Sequence, residues 1–194
     1  MGKIENGHLL YHLTKLSNLD SIIENGLASR RLLLENNVIF EDVADSGIIN
    51  KRTEYGLDDY VPFHFHPYSS FDVAVKNTFS NEEFVYICIK RKLARDNNFL
   101  VLPKHPLTLS EVNLYQYDEG IFQIDWEAME KSSTDSKYIH DVRMAECLTE
   151  KVVPIDCFNS IAVKDEEIQQ FVQEKISTVE GDVPYINIQP WLKI

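Results

Sequence analysis

The 194-residue sequence predicts an α+β fold with one domain over residues 1–194. Segments with the composition of β-strands are short, and few, short helical patterns separate them without the regular alternation of a parallel α/β fold. No stretch rich in proline, glycine or serine marks a linker between domains. Neither common glycine-rich phosphate loop is present.

Composition limits the class of protein. Hydrophobic residues make up 44% and charged residues 26%, which is typical of a soluble globular protein. No apolar run approaches the roughly 18 residues that span a bilayer, and no leader pattern is visible, so a cytoplasmic protein without membrane contact is expected. Cys88, Cys147 and Cys157 are scattered, which favours buried free thiols. The net charge of −12 argues against broad binding to phosphate backbones, but leaves a short nucleic-acid segment possible.

Two elements are predicted near the N-terminus. HLLYHLT (8–14) alternates as a first strand does. SNLDSIIENGLAS (17–29) predicts a short helix, with Ser17 and Asp20 as the capping pair and Gly26 as the left-handed stop.

The middle of the chain contains the clearest strands. Residues 32–50 carry no decisive pattern, and KRTEYGLDDY (51–60) is predicted as a loop because of its glycine and paired aspartates. YVPFHFHP (60–67) has strand composition, with Pro62 at a strand start or edge. EFVYICIKRK (83–92) predicts a fully buried strand, because its apolar run is continuous.

Further segments complete the prediction. A helix is possible over 69–78, and 99–109 begins as a strand that Pro103 and Pro106 interrupt. NSIAV (159–163) predicts another strand, and an amphipathic helix follows over 165–176.

KYIHDVRMAECLTEKVVP (137–154) admits two interpretations. As a strand, it places Glu146 on one face with Met144 and Leu148, among apolar neighbours where a charge is costly. As a helix, it has Asp141 at its N-cap and Glu146 facing water, and propensity alone favours this interpretation.

Histidines supply several candidate site residues. His12 and Thr14 share one strand face and can direct two hydrogen-bonding groups into one pocket. His64 and His66 also share a face, but two histidines without a third ligand are weak evidence for a metal, and no metal site is predicted. His105 lies between two prolines, on a turn that suits presentation to a ligand. Each histidine is equally compatible with ordinary packing.

Two charged residues add to the candidates. Arg52 is a plausible anchor for a diphosphate or carboxylate, since a guanidinium can grip either with two bonds. A buried Glu146 is suited to stabilise a cationic transition state or to act as a general base.

Five stretches in order resemble the DarT family of nucleic-acid ADP-ribosyltransferases, over residues 9 to about 163: YHLT, SIIENGL, GLDDYVPFHFHP, DEGIFQIDW and VRMAECLTEKVVP. The resemblance implies an ADP-ribosyltransferase fold, a split mixed β core with short flanking helices and NAD in its cleft. It implies transfer of ADP-ribose from NAD onto a base of single-stranded DNA. It also implies a toxin that a macrodomain-type antitoxin opposes.

The resemblance assigns roles to matching residues. Glu146 becomes the catalytic carboxylate at the start of a core strand, which reverses the helical preference. Arg52 becomes the second catalytic residue and a contact to the NAD phosphates, with the register between Lys51 and Arg52 left open. His12, Thr14 and, in the SIIENGL stretch, Gly26 become NAD-binding residues.

The resemblance also indicates which residues face the substrate base, but the sequence departs from the family pattern there. His105 and Tyr68 are expected in the region that faces the substrate base. Tyr68 stands where the family usually has an arginine, and LPKHPLT (102–108) departs from the usual turn, so the base is left open. Tyr68, Phe71 and Tyr115 are candidate stacking platforms. Modification of RNA, a non-catalytic NAD or nucleic-acid binder, and a protein-modifying transferase are the alternatives.

Overall fold

A computed structural model describes residues 3–106 and 112–189. The strands are β1 Leu9–Lys15, β2 Val61–His64, β3 Phe84–Lys90, β4 Leu100–Leu102, β5 Tyr115–Gln116, β6 Glu146–Thr149, β7 Ser160–Val163 and β8 Tyr185–Ile188. The α-helices are α1 Leu19–Asn25, α2 Arg30–Glu35, α3 Ser46–Glu54, α4 Ser70–Thr78, α5 Arg91–Asp96, α6 Tyr117–Gln123, α7 Trp126–Met129, α8 Lys137–Arg143 and α9 Glu166–Ile176.

The described strands form one mixed sheet in the order β5-β4-β6-β2-β1-β3-β7-β8. All neighbours are antiparallel except β7 and β8, which confirms the predicted α+β class. β1 pairs with β3 along its full length, whereas it meets β2 at one residue pair, Tyr11 with His64. The sheet is therefore split between β1 and β2, as the family resemblance implies.

Both faces of the central strands are buried. Leu10, Phe63 and Ile87 belong to the largest core cluster on one face, while Tyr86 and Cys88 belong to a smaller cluster on the other. Burial on both faces explains why β3 has an uninterrupted apolar sequence rather than an alternating one.

The region around α1 and α3 corrects two sequence predictions. The helix predicted over 17–29 is shorter, α1, and its N-cap residue is Asn18, which makes no side-chain capping bond. The loop predicted over 51–60 was wrong at its start, since Lys51–Glu54 ends α3. Asp45 caps α3 by accepting hydrogen bonds from two backbone N–H groups. No residue of α3 is buried, so the helix left no apolar periodicity in the sequence.

The two interpretations of 137–154 each hold for part of the segment. α8 ends at Arg143, and β6 begins at Glu146. Ser136, not Asp141, caps α8 by accepting a hydrogen bond from the backbone N–H of Ile139. A turn between helix and strand therefore delivers Glu146 to the first position of a core strand.

The cysteines carry free thiols. Cys88 and Cys147 are buried, as predicted, while Cys157 is only half-buried. Burial raises the pKa of the Cys88 thiol to about 12 and raises that of Cys147 as well. Cys147 follows Glu146 on β6 and packs in the largest core cluster.

Three remaining predictions concern membrane helices, the number of domains and the segment 99–109. In the part of the chain that the structure describes, no helix has both the length and the apolar character needed to cross a membrane. The single domain over 1–194 stays a prediction, although the sheet joins strands from both ends of the described ranges. Residues 107–109 of the segment predicted over 99–109 lie outside the described residues.

Gly26→Ala should lower the free energy of unfolding by about 1–3 kcal/mol. Gly26 ends α1 with φ 77° and ψ 169°, a backbone region that is nearly exclusive to glycine. A Cβ there would lie 2.6 Å from the Cγ1 of Val152. Urea denaturation measures the change, with Glu24→Ala on the exposed side of α1 as the matched control. Equal stability of both variants would contradict the strained role of Gly26.

Candidate active site

A cleft of about 360 Å³ opens where β1 and β2 diverge. This volume is within the usual range for small-molecule sites. His12 and Thr14 of β1, Gly26 after α1, Arg52 of α3 and Glu146 of β6 all line it. The split of the sheet thus creates the space, and the strands on either side supply its floor.

Glu146 lies at the floor of the cleft, and only 4% of its surface is exposed. Nη1 of Arg52 donates to both carboxylate oxygens, at 2.8 and 3.0 Å. Nη2 of Arg52 lies 3.4 Å from the carbonyl oxygen of Leu57, which directs the guanidinium. A buried carboxylate requires such a partner, because removing it from water without one is costly.

α3 settles which of its two adjacent basic residues faces the cleft. Arg52 is half-buried and pairs with Glu146, whereas Lys51 is exposed and lies outside the cleft lining. Adjacent helical residues point about 100° apart, so only one of them can face the floor. Arg52, and not Lys51, therefore faces the cleft.

His12 connects β1 to β2 at the point where the two strands diverge. Its Nδ1 lies 2.7 Å from the carbonyl oxygen of Pro62 on β2. A carbonyl only accepts, so Nδ1 carries the hydrogen and Nε2 of the neutral ring remains an acceptor. Burial lowers the pKa of His12 to about 4, which keeps the ring neutral at physiological pH.

A wall formed by residues 40–44 closes one side of the cleft. The side chain of Asn18 accepts from the backbone N–H of Glu41 at 2.8 Å and donates to its carbonyl oxygen at 2.9 Å. The same amide nitrogen lies 3.2 Å from Oγ1 of Thr14. Lys15 adds an ion pair to the Glu41 carboxylate at 2.7 Å. Sequence reasoning missed this wall and Asn18, because the wall has no regular structure and no periodicity.

His64 is a further residue that the sequence did not assign to this site. It is paired in register with Glu146 and lines the cleft. Its Nδ1 lies 3.3 Å from the carbonyl oxygen of Ala145. His66 lies outside the lining, with Nε2 3.1 Å from the carbonyl oxygen of Arg143. Within residues 3–106 and 112–189, no group of three or more histidine, cysteine, aspartate or glutamate side chains is arranged to bind a metal ion.

The two predicted substrate-side residues separate. His105 lines the cleft, with its ring 6.0 Å from that of His140. Burial lowers the pKa of His105, although the nearby carboxylates of Glu146 and Asp141 oppose the shift. Tyr68 lies outside the cleft lining and borders a separate cavity of about 40 Å³ beside Tyr86.

The position of Tyr68 follows from its backbone. Its φ of 67° is left-handed, and its backbone N–H donates to the hydroxyl of Tyr86 at 3.3 Å. The turn thereby directs the ring toward Lys76, whose Nζ is 5.3 Å from the ring centroid. The expected role of Tyr68 at the substrate base therefore has no support from its location. Phe71, another predicted platform, does line the cleft.

The split mixed sheet and the arginine-bound glutamate at its cleft are the arrangement expected of an ADP-ribosyltransferase. A family model described as ssDNA thymidine ADP-ribosyltransferase, DarT, matches residues 11–193, and the chain belongs to the DarT family. This assignment confirms the resemblance and the predicted enzyme class, NAD-dependent ADP-ribosyl transfer.

Relatives and solved structures agree with the family model. The chain is 25% identical over 181 residues to a DNA ADP-ribosyl transferase of Thermus sp. (strain 2.9), covering 84% of each chain. It is 24% identical over 177 residues to one from Thermus aquaticus, covering 85% of this chain and 79% of the relative.

The fold matches solved structures at lower identity. Thermus sp. 2.9 DarT in complex with ADP-ribosylated ssDNA matches with a TM-score of 0.83 at 21% identity over 95% of each chain. Thermosipho africanus DarTG in complex with ADP-ribose gives 0.77 at 20% identity, over 96% of this chain and 51% of that chain. These matches support the split mixed fold.

Stability should fall as pH drops from about 6.5 toward 4. Unfolded His12 binds a proton near its ordinary pKa of 6.5, whereas the folded ring does so only near 4, so protons favour the unfolded chain between these values. His66 contributes with the same sign. Denaturation between pH 7 and 5 should show a smaller loss for His12→Asn, whose amide can still donate to Pro62. Parallel losses in the variant and the wild type would contradict this assignment.

Proposed function

We propose that this protein transfers ADP-ribose from NAD onto a thymine base of single-stranded DNA and releases nicotinamide. The observation that carries the proposal is the buried Glu146 carboxylate bound by Arg52 at the floor of the cleft. The description of the family as ssDNA thymidine transferases supports thymine as the base. The NAD and ADP-ribosylated ssDNA complexes of the Thermus relative support the donor and the acceptor.

Glu146 stabilises the reacting ribose. Breaking the bond between the ribose C1′ and the nicotinamide nitrogen develops positive charge on the ribose ring, and nicotinamide leaves with the bond electrons. A fixed carboxylate beside the ring lowers the energy of that charge without reorganising at the moment of reaction. Arg52 holds the carboxylate in place and gives the cleft a positive group for the NAD phosphates.

β1 and the turn after α1 bind the rest of the donor. The unprotonated Nε2 of His12 accepts a hydrogen bond from a ribose hydroxyl. Thr14 supplies a hydroxyl beside it, which Asn18 orients. Gly26 lets the backbone approach the dinucleotide closely, because it carries no side chain.

The acceptor chemistry requires a base in the cleft. In thymidine, N1 is bonded to deoxyribose, so N3 is the ring nitrogen that can bond to the ribose C1′. N3 carries a hydrogen, which leaves as the new N3–C1′ bond forms. His105 accepts that proton, since it lines the cleft and its lowered pKa keeps the ring neutral.

The proposal also covers partners and charge. A chain of net charge −12 gains little from a whole phosphate backbone, so recognition rests on one base removed from the stack and a few local contacts. A macrodomain-type antitoxin that removes the modification is part of the proposal, as the family resemblance implies. This chain matches about half of the Thermosipho africanus DarTG chain, so that relative contains a further region beyond the matched part.

The test measures transfer of label from NAD to synthetic oligonucleotides. Wild-type protein should label single-stranded DNA that contains thymine, and should not label a strand without thymine or one with only N3-methylthymine. Glu146→Gln should reduce labelling to background while NAD affinity stays within about tenfold. Label on uridine RNA alone would favour the RNA alternative. Equal label with Glu146→Gln, or none on any strand, would contradict the proposal.

Arg52→Ala should lower kcat/KM by roughly 10²–10³-fold and weaken NAD binding. The variant leaves the buried Glu146 carboxylate without its charged partner and removes a positive group from the cleft. Calorimetric NAD titration and labelling rates measure both effects. Lys51→Ala, one position away on the exposed side of α3, is the matched control. Equal effects of the two substitutions would refute the assignment of Arg52.

A further inference from the structure

Tyr138 presents an aromatic ring on α8, and 47% of the residue is exposed. The same helix carries the cleft-lining His140 two residues later, on a different side of the helix. The backbone N–H of His105 donates to the carbonyl oxygen of Asp141 at 2.8 Å. This bond joins α8 to the segment that carries Lys104 and His105. We refer to the cleft-lining His105 and His140, together with their neighbours Lys104 and Tyr138, as the cleft rim.

The orientation of the Tyr138 ring is fixed. Its hydroxyl donates to Oδ2 of Asp125 at 2.9 Å. Asp125 is itself held at the N-cap of α7, where it accepts from the backbone N–H of Ala128 at 2.9 Å. The hydrogen bond from the Ala128 backbone lowers the pKa of Asp125 most, and the one from Tyr138 lowers it further. The carboxylate therefore remains a charged acceptor. A ring held in this way loses little conformational freedom when another ring packs on it.

Lys104 gives the rim a cation. Its Nζ lies 4.6 Å from the centroid of the Tyr138 ring. Lys131 and Lys137, the other lysines nearby, form ion pairs with Glu127 and Asp141. Among the described residues, no carboxylate lies within ion-pair distance of Lys104. Asp125, which feels the charge of Lys104 from farther away, already accepts hydrogen bonds from Tyr138 and Ala128, so Lys104 can still bind an incoming anion.

We infer that Tyr138 and Lys104 bind the nucleotide next to the reactive base, with its base stacked on Tyr138 and its phosphate on Lys104. The inference rests on the proposed function. A base that reaches Glu146 has left its stack, and its neighbour has lost a stacking partner. An aromatic ring replaces that partner for any base, because every base has a π-face. The substrate is therefore an oligonucleotide rather than a free thymidine, and this contact contributes affinity without reading base identity.

Kinetics with single-thymine oligonucleotides test the site. Tyr138→Ala should lower kcat/KM by about tenfold, mainly through KM, and leave the NAD dissociation constant unchanged. Tyr138→Phe should retain most of the activity, since it keeps the ring and loses only the bond to Asp125. Tyr185→Ala is the matched control, because Tyr185 is 70% exposed on β8 at the opposite end of the sheet. Unchanged kcat/KM for Tyr138→Ala would overturn the inference.

Abasic substitutions test the same contact without altering the protein. In wild type, removing the flanking base on one side of the thymine should lower kcat/KM about as much as Tyr138→Ala does. In Tyr138→Ala, the same removal should cause no further loss, because the stack is already gone. Independent, multiplicative losses would overturn the stacking contact even if the variant were partly unfolded.

Lys104→Gln tests the phosphate contact. It should weaken binding of all sequences alike and reduce the slope of log affinity against log salt by about one. An unchanged salt slope would overturn the role of Lys104. Wild-type protein that labels no DNA would refute the proposed function itself, whereas equal labelling by wild type, Tyr138→Ala and Lys104→Gln would refute the rim site alone.

Discussion

The weak junction between β1 and β2 is the constraint on which the rest of the structure depends. Elsewhere, neighbouring strands share two or more residue pairs, but these two share only Tyr11 with His64. Where the backbone pairing of β1 with β2 stops, Nδ1–H of His12 donates a hydrogen bond to the carbonyl oxygen of Pro62. In a continuous pair of strands, a backbone N–H would donate this bond. A side chain thus keeps the half-sheets in register while their separation leaves room for a ligand.

The electrostatics of the site follow from this separation. Glu146, the first residue of β6, is buried at the floor of the opened cleft, where a carboxylate is costly without compensation. Arg52 of α3 supplies the compensating charge. His12 and His105, whose pKa values are lowered, add hydrogen-bonding capacity to the cleft without adding charge. The floor of the cleft therefore combines the Arg52–Glu146 ion pair with two histidine rings that stay uncharged at physiological pH.

The sequence predicted the parts of this protein whose signals are local. The continuous apolar run of β3, the alternation of β1 and the amphipathic pattern of α9 each correspond to an observed element. Helix α3 was missed, because its stability depends on the Asp45 cap and on contacts that connect it to the cleft rather than on an apolar face. Glu146 required the family resemblance, since helical propensity continues through Arg143 and nothing local marks where the strand begins.

The cleft shows the same limit for individual side chains. His12 and Arg52, which belong to recognisable stretches of sequence, line the cleft. Tyr68 lies outside it because its backbone is left-handed, which the sequence does not indicate. Asn18 and Tyr138 gain their roles from partners distant in the sequence, Glu41 and Lys104. Such contacts exist only after the chain has folded, so no pattern in the sequence encodes them directly.

Strand alternation also protects the enzyme from its own chemistry. Cys147 follows Glu146 directly, and in the reaction proposed above a thiolate that close to the activated ribose would compete with DNA as the nucleophile. Successive strand residues face opposite sides of the sheet, so the sulfur lies in the core while the carboxylate lies in the cleft. Burial also raises the thiol pKa, which keeps the sulfur protonated. One position along β6 thus separates the proposed catalytic carboxylate from a side chain that the same reaction could modify.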